Sequence, residues 1–137
     1  MKYNNIDFNN KTILITGGAG FIGSNIAFYL QENYPDSRVI IFDCFRNNEV
    51  LSNGNPSSYG HYKNLIGFKG DVICGNINIK NELSILDNYK FDYIFHQAAI
   101  SDTRVYDQEL VMKTNVNSFY DLLKIAKKDQ SVMIYAS

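Results

Sequence analysis

Short runs of consecutive apolar residues recur along this chain, separated by stretches in which apolar residues repeat every three or four positions. Runs rich in β-branched residues are typical of strands buried on both faces of a sheet, and the three-to-four spacing is typical of amphipathic helices. The runs predict five strands, at residues 12–16, 38–43, 71–75, 93–96 and 131–136.

The segments between the predicted strands contain helices. Apolar spacing predicts helices at about 20–33 and 107–128, and short ones at 61–66 and 80–86, the last of them capped by Asn78. Side chains three and four positions apart lie on one helix face, so each segment can bury an apolar stripe.

Residues 47–59 form the longest predicted loop, because this segment is rich in Asn, Gly, Ser and Pro. Its asparagines, among them Asn53 and Asn55, are interpreted as a feature of composition rather than of function. A loop of this length in a compact domain is often functional or mobile.

The alternation of strands and crossovers predicts an α/β fold: a doubly wound, parallel Rossmann sheet with strand order 3-2-1-4-5. The 137 residues suit a single domain, residues 1–137, that stops after strand 5. Ligands of such sheets bind beyond the carboxyl ends of the strands, at the switch between strands 1 and 4. The site is therefore expected beside Thr16, Asp43, Asn76 and Gln97.

A glycine-rich turn joins the first strand to the first helix. Gly17 can turn sharply off the strand, and Gly18 and Gly20 allow the backbone to approach a phosphate. Gly23 allows the helix to lie close to the strand, and the helix N-terminus favours an anion. The spacing predicts a dinucleotide pyrophosphate site, with a plain strand-to-helix turn as the alternative.

The second strand ends at Asp43, about 20 residues after the last glycine, where an acidic residue reaches the adenosine ribose hydroxyls. A carboxylate here favours the free 2′-hydroxyl of NAD. Arg46 would instead pair with the 2′-phosphate of NADP, so both cofactors stay open.

The composition of the chain argues against nucleic acids, membranes and metal ions as its partners. Hydrophobic residues make up 45% of the chain, charged residues 20%, and the net charge is −1, which favours neither nucleic acid nor an anionic membrane as a partner. Cys44 and Cys74 are expected to be reduced core thiols, and His61 and His96 are isolated, so no metal site is expected. No apolar run approaches a membrane span, and residues 1–5 are unlike a signal peptide, so the protein is expected to be cytoplasmic.

Residues 15–24, Ile-Thr-Gly-Gly-Ala-Gly-Phe-Ile-Gly-Ser, resemble the extended short-chain dehydrogenase/reductase superfamily, which includes many nucleotide-sugar epimerases and dehydratases. Further motifs of the superfamily follow in its order: Asp43, Phe95–Ala99, Asn115–Asn117 and Ile134–Ser137. Within the superfamily, residues 96–103 and 112–115 are most similar to the branch that epimerises ADP-heptoses.

The resemblance implies NAD or NADP as cofactor, a nucleotide sugar such as ADP-heptose as substrate, and a homo-oligomer. The intact protein would oxidise a sugar carbon transiently and reduce it again from the other face. Two alternatives stay open: another nucleotide-sugar 4-epimerase or 4,6-dehydratase, and a dinucleotide-sensing module without catalysis.

The resemblance also implies cofactor contacts for Gly17, Gly20, Phe21, Ile22, Gly23, Asp43, Cys44, Arg46, Asn76, Ile77, Gln97, Ala98, Ala99, Ile100, Ser101 and Asn115. The main chain of residues 21–22 would meet the pyrophosphate, and residues 43–44 the adenosine ribose. Residues 76–77 would flank adenine, although the family more usually has Asp at the first of these positions, and Arg46 would stack on adenine or pair with a 2′-phosphate. Residues 97–101 would line the cofactor near the nicotinamide end, and Asn115 would reach into the same groove.

Most of these residues also have a purely structural interpretation. Phe21 and Ile22 could belong to the core, Arg46 could be simply solvated, and Asn115 could make a structural hydrogen bond on its apolar helix face. His96 is expected to be packed rather than catalytic. Residues 101–103 could touch the sugar or only cap a loop.

No catalytic residue of the superfamily is identified in this chain. Its chemistry depends on a Tyr-x-x-x-Lys pair after strand 5, and the matching spacing of Tyr59 and Lys63 lies in a loop before strand 3, so it is interpreted as coincidence. Ser137 matches the first serine of the strand-5 motif. The chain is therefore expected to be an N-terminal fragment that does not turn over substrate alone.

Overall fold

The computed structural model describes residues 6–136. The polar segment 1–5 and Ser137, which was matched to the strand-5 motif, lie outside the described residues. The regular elements in chain order are β1 (Thr12–Thr16), α1 (Phe21–Asn33), β2 (Arg38–Asp43), β3 (Asp71–Cys74), α2 (Lys80–Leu83), β4 (Tyr93–His96), α3 (Gln108–Met112), α4 (Ser118–Asp129) and β5 (Val132–Tyr135). Short 3-10 turns lie at Tyr62–Leu65 and Ser84–Asn88, and a π-helical turn at Lys113–Asn117.

The five strands form one parallel sheet in the order β3-β2-β1-β4-β5, which confirms the predicted doubly wound fold. β1 lies at the centre, where Ile15 is in register with Ile41 of β2 on one side and with Phe95 of β4 on the other. The carboxyl ends of β1, β2 and β4 therefore meet at one edge of the sheet, and this edge carries the predicted site.

Alternate side chains of the strands build a core on each face of the sheet. Leu14 and Ile94 pack in one cluster with Leu122 of α4. Ile13 and Ile15 pack in the other with Ala27 and Leu30 of α1. Because both faces of β1 are covered, its apolar residues run consecutively instead of alternating with polar ones.

The long predicted helix at 107–128 is divided into α3 and α4 by the π-helical turn. Asp107 caps α3 by accepting the backbone N–H of Leu110 at 2.9 Å. The turn carries Asn115, and π-helical turns are frequent at functional positions.

The two short helices differ from the predicted ones. The helix expected at 80–86 is α2 followed by a 3-10 turn, and Asn78 does not cap it. Its side-chain N–H donates instead to Thr114 Oγ1, at 2.8 Å, and Ile79 occupies the N-cap position. The helix expected at 61–66 is a single 3-10 turn, in which His61 Nδ1 accepts the backbone N–H of Lys63 at 3.1 Å.

The prediction that both cysteines are core thiols is wrong, because Cys44 and Cys74 are exposed. Cys44 follows the end of β2, and Cys74 ends β3, which is an edge strand of the sheet. Between residues 6 and 136, no helix is both long and apolar enough to cross a membrane. In the same part of the chain, no group of three or more His, Cys, Asp or Glu side chains could hold a metal ion.

Candidate dinucleotide-binding site

The glycine-rich turn between β1 and α1 lies directly against the loop that follows β4. Gly17 has a φ of +68°, and a Cβ atom there would lie 2.7 Å from the backbone nitrogen of Ala98. The Gly17 N–H donates to the carbonyl of Phe42 at 2.9 Å, and the Gly20 N–H donates to the carbonyl of Gly17 at 3.1 Å. Gly17 is therefore required both by its left-handed backbone and by the close approach of the β4 loop.

Two further glycines bring α1 close to the sheet. A Cβ atom on Gly23 would lie 2.3 Å from the carbonyl oxygen of Gly17, and one on Gly18 would lie 2.6 Å from the Ile41 side chain. Real Cβ atoms do not lie this close to other heavy atoms. At position 23 the neighbour is backbone, so any larger residue would displace the turn, whereas at position 18 the Ile41 side chain would have to shift. The predicted role of Gly23 in helix packing agrees with this geometry.

The N-terminus of α1 is free to bind an anion. Gly20 is its N-cap residue, no side chain caps it within the described residues, and its first turn contains no acidic residue. The first N–H groups of a helix have no partner within the helix, and the helix dipole adds a partial positive charge there. The side chains of Phe21 and Ile22 are 82% and 59% exposed, so the interpretation of these two residues as core is wrong.

Asp43 holds the glycine-rich turn from the end of β2. Its carboxylate accepts the backbone N–H of Ala19 at 3.0 Å and that of Phe45 at 2.8 Å. Burial raises the pKa of Asp43, and the two backbone hydrogen bonds oppose that rise. A carboxylate has about four lone-pair positions, so two remain for ribose hydroxyls, and the predicted ribose contact stays a prediction.

The segment after the long loop holds the same turn from the other side. The carbonyl of Ala19 accepts the backbone N–H of His61 at 3.0 Å and the side-chain N–H of Asn64 at 2.8 Å. Gly60 lies against Asp43, since a Cβ atom there would come within 2.3 Å of the carboxylate. The local sequence pattern does not predict these contacts of residues 60–64, because their partners, Ala19 and Asp43, are distant in sequence.

Asn115 organises the loop that follows β4. Its side chain accepts the backbone N–H of Ile100 at 2.8 Å and donates to the carbonyl of the same residue at 2.9 Å. The structural role considered for Asn115 from the sequence is therefore present. Its two hydrogen bonds fix the loop from Gln97 to Ser101 beside the glycine-rich turn. The Gln97 N–H donates to the carbonyl of Thr16 at 3.0 Å, which joins this loop to the end of β1.

His96 is packed, as expected. Its Nδ1 lies 2.6 Å from Thr16 Oγ1, and its ring lies against Phe119 with the ring centroids 5.8 Å apart. Thr16 Oγ1 also accepts the N–H of Ala98, at 3.4 Å, so its single hydrogen is available for His96 Nδ1. Burial lowers the pKa of His96, which favours the neutral imidazole.

The residues predicted to lie near adenine and its ribose differ in their exposure. Ile77 is buried in the core cluster under α2, and the Asn76 N–H donates to Glu82 Oε2 at 2.6 Å. Arg46 is exposed, and its backbone N–H donates to the carbonyl of Gly60 at 2.7 Å. Cys44 lies beside it at the same carboxyl edge of the sheet.

The long loop between β2 and β3 contains contacts that the sequence interpretation missed. The side-chain N–H groups of Asn53 and Asn55 donate to the carboxylate of Asp102, at 3.0 Å and 2.5 Å. These asparagines therefore make specific contacts, contrary to the interpretation from composition. The turn sequence Asn53-Gly54-Asn55 was a local signal for ordered structure, but its partner lies 47 residues away from Asn55.

The residues of this edge fit a dinucleotide. The turn at 17–23 is a backbone cradle in which Cβ atoms would collide with Gly17 and Ala98, and it ends on an uncapped helix N-terminus. Such N–H groups bind diphosphates. Tyr59 and Lys63 do not lie on one helix, because Tyr59 precedes the 3-10 turn that contains Lys63.

Comparisons with known proteins agree with this geometry. The sequence model of the NAD dependent epimerase/dehydratase family matches residues 13–137. ADP-L-glycero-D-manno-heptose-6-epimerase of Brachyspira hyodysenteriae is 33% identical over 125 residues, which cover 91% of this chain and 36% of that protein.

Solved structures of nucleotide-sugar enzymes are also similar to this chain. The crystal structure of Helicobacter pylori ADP-L-glycero-D-manno-heptose-6-epimerase is 54% identical, with a TM-score of 0.88, over 100% of this chain and 42% of that one. A dTDP-glucose 4,6-dehydratase from Bacillus anthracis, in complex with NAD, is 26% identical, with a TM-score of 0.68, over 93% of this chain and 37% of that one. The chain thus spans 36% to 42% of the length of these relatives.

Proposed function

Because this chain belongs to the NAD dependent epimerase/dehydratase family, we propose that residues 1–137 are the cofactor-binding part of a nucleotide-sugar epimerase acting on an ADP-heptose. The observation that carries the proposal is the uncapped N-terminus of α1, placed by a turn in which Gly17 and Gly23 leave no room for side chains. The likeness to the Helicobacter pylori enzyme favours an ADP-heptose over other nucleotide sugars.

NAD, when bound, supplies the hydride acceptor and donor for a sugar carbon. The role of this chain is to hold and orient it. The N–H groups of Phe21 and Ile22 would bind the pyrophosphate, because they lie in the first turn of α1. Asp43 would accept the adenosine ribose hydroxyls with the lone pairs that its backbone contacts leave free.

The loop from Gln97 to Ser101 would line the nicotinamide end. It is fixed at both ends, by the Gln97–Thr16 backbone hydrogen bond and by the two hydrogen bonds between Asn115 and Ile100. A loop fixed in this way can exclude water from one side of the cofactor without moving. Asn115 would therefore act through Ile100, and the second N–H and the second lone pair of its amide would still be free to meet the cofactor.

NAD rather than NADP is the proposed cofactor. The carboxylate of Asp43 would repel a 2′-phosphate, and the family is NAD dependent. Arg46 supports the alternative, because its guanidinium is exposed at the same edge of the sheet. Separate titrations with NAD and NADP distinguish the two.

The intact protein is proposed to be a cytoplasmic homo-oligomer. The outward side of the α3–α4 segment carries an exposed apolar stripe formed by Met112, Val116, Tyr120 and Leu123. Tyr120 and Leu123 are three residues apart on α4 and share one face. Met112 and Val116 are exposed just before it, so a second copy could cover this part of the segment. The 137-residue chain by itself is proposed to bind cofactor without turnover, because the superfamily's catalytic Tyr-x-x-x-Lys pair follows strand 5. The same spacing does occur on α4, at Tyr120 and Lys124, but α4 precedes β5.

A 4,6-dehydratase is the second candidate, favoured by the likeness to the Bacillus anthracis enzyme. The test is made with the intact protein and NAD, supplied separately with ADP-heptose, UDP-glucose and dTDP-glucose and followed by NMR. The proposal expects conversion of the ADP-heptose alone, to its epimer at carbon 6. A 4-epimer of UDP-glucose would indicate a 4-epimerase, a 4-keto-6-deoxy sugar would indicate a dehydratase, and no product from any of them would favour a sensing module.

A further inference from the structure

The long loop between β2 and β3 is an ordered, closed element, here called the strap (residues 46–60). Its two ends are joined by the hydrogen bond from the Arg46 N–H to the Gly60 carbonyl, at 2.7 Å. Within it, Val50 and Pro56 form an antiparallel bridge, and the Leu51 N–H donates to the carbonyl of Asn55 at 2.7 Å. The strap is thus a compact loop with neighbouring ends rather than an irregular connection.

The tip of the strap is held by one carboxylate in the loop after β4. Asp102 accepts the side-chain N–H groups of Asn53 and Asn55. It also accepts the backbone N–H of Arg104 at 3.0 Å and the guanidinium Nε–H of Arg104 at 3.1 Å. The side chain of Asp102 is 9% exposed although that of Arg104 is 76% exposed. These are charge-assisted hydrogen bonds, which are stronger than bonds between neutral groups.

The strap crosses the carboxyl end of β1. Its base adjoins the end of β2, and its tip lies on the loop after β4, while β1 lies between these two strands in the sheet. Neighbouring strands are about 4.8 Å apart, so the strap extends over roughly 10 Å of this edge. The glycine-rich turn begins at that point, after Thr16.

Most of the strap is exposed or half-buried. Of residues 46–60, all of which are described, only Leu51 and Gly60 are buried, and Gly60 lies at the base of the strap, against Asp43. A segment with few buried side chains opens at low free-energy cost, so loss of the bonds between its tip and Asp102 should make opening easier.

We propose that the strap closes over the dinucleotide and that Asp102 is the positioning residue that keeps it closed. The inference rests on the proposed function, because the strap crosses the edge of the sheet at which NAD is proposed to bind. Asp102 does not touch the cofactor in this account; it acts through Asn53 and Asn55. The strap must open for the cofactor to leave, so weakening its attachment speeds dissociation more than it slows association.

The test compares three variants with the unmodified chain. Asp102→Asn removes the charge and leaves the bonds within the strap intact. The double variant Asn53→Ala with Asn55→Ala removes the strap's side of the contact, together with the acceptor of the Asn55 N–H within the strap, and leaves Asp102 with Arg104. Asp71→Asn is the matched control, because Asp71 also pairs with an arginine, Arg38, at 2.9 Å, but at the amino end of β3. Hydrogen–deuterium exchange reports opening of the strap, and stopped-flow displacement of bound NADH by NAD reports its dissociation rate.

Both strap variants are expected to exchange the hydrogen-bonded amide protons of Leu51, Gly54 and Ser57 about tenfold faster and to release NADH about tenfold faster. Their association rate constants and the exchange of β1 and β2 should not change, and the control should behave like the unmodified chain. Faster exchange with an unchanged NADH dissociation rate would overturn the proposal and leave the proposed function intact. Unchanged exchange would overturn the attachment through Asp102. Absence of NADH binding to the unmodified chain would overturn the proposed function and this proposal together.

Discussion

The carboxylate of Asp43 accepts the backbone N–H of Ala19 at 3.0 Å, across 24 residues of sequence. Ala19 is fully buried in the glycine-rich turn, so this N–H has no access to water. The end of β2 therefore sets the position of the turn that follows β1. This relationship gives Asp43 a structural role in addition to its proposed contact with ribose.

Replacing Asp43 should destabilise the protein even without cofactor. Asp43→Ala leaves the N–H groups of Ala19 and Phe45 without their acceptor, at a cost of about 1–3 kcal/mol in the free energy of unfolding. Asp43→Asn keeps one acceptor oxygen and should lose less. Urea denaturation followed by circular dichroism measures both, with the exposed Asp36→Ala as a control expected to change stability by less than about 0.5 kcal/mol. Equal stability of Asp43→Ala and Asp36→Ala would contradict the structural role.

The sheet was predictable because its strands are buried on both faces. The observed bounds of β1, β2 and β4 coincide with the predicted ones, and β3 and β5 are one residue shorter at one or both ends. Consecutive β-branched residues, such as those within Arg38–Asp43, are typical of a strand that is covered on both faces of its sheet. The strand order followed from the alternation with crossovers and their right-handedness.

The contacts that build the site edge were not predictable in the same way. Asn53 and Asn55 meet Asp102, and Asn64 meets Ala19, across 45 residues or more of sequence. Such bonds depend on where loops return after the sheet has formed, and side-chain type alone does not specify them. Composition suggested that the asparagines were incidental, whereas amide side chains are suited to bridging loops because each carries both donors and an acceptor.

Asn115 should stabilise the loop after β4 more than an exposed asparagine stabilises its helix. Asn115→Ala removes both hydrogen bonds to Ile100 and should lower the free energy of unfolding by about 1–3 kcal/mol. The matched control is Asn33→Ala, which removes one exposed bond to the carbonyl of Tyr29 at the end of α1. A loss no larger than that of the control would mean that Asn115 does not hold the loop.

His96 should make stability depend on pH in a defined direction. Burial lowers the pKa of His96 in the folded chain below 6.5, so the unfolded chain binds the additional proton first. The contribution of His96 is complete above about pH 6.5 and is lost as pH falls through the lowered pKa. Asp43 acts in the opposite direction, because its raised pKa makes its contribution complete at low pH and smaller as pH rises.

The measurement therefore compares the unmodified chain with His96→Asn at about pH 7.5 and about pH 5. Asparagine retains an acceptor for the Thr16 hydroxyl but does not titrate, and Asp43 is the same in both chains. The urea midpoint of the unmodified chain should fall more on acidification than that of the variant. An equal fall in both chains would show that His96 is not responsible.

Calorimetric titration of NAD into this chain and into its variant Gly23→Ala measures whether the glycine-rich turn binds NAD. A Cβ atom on residue 23 would lie 2.3 Å from the Gly17 carbonyl oxygen and should displace the turn. The control is Gly67→Ala, which places alanine at a φ of +91°, outside the site, and so loses stability without touching the turn. With circular dichroism showing that all three chains are folded, the unmodified chain and the control should bind one NAD with equal affinity, and Gly23→Ala should bind at least about tenfold more weakly. If the folded, unmodified chain shows no saturable binding, or if Gly23→Ala binds NAD equally well, the glycine-rich turn is not the NAD site.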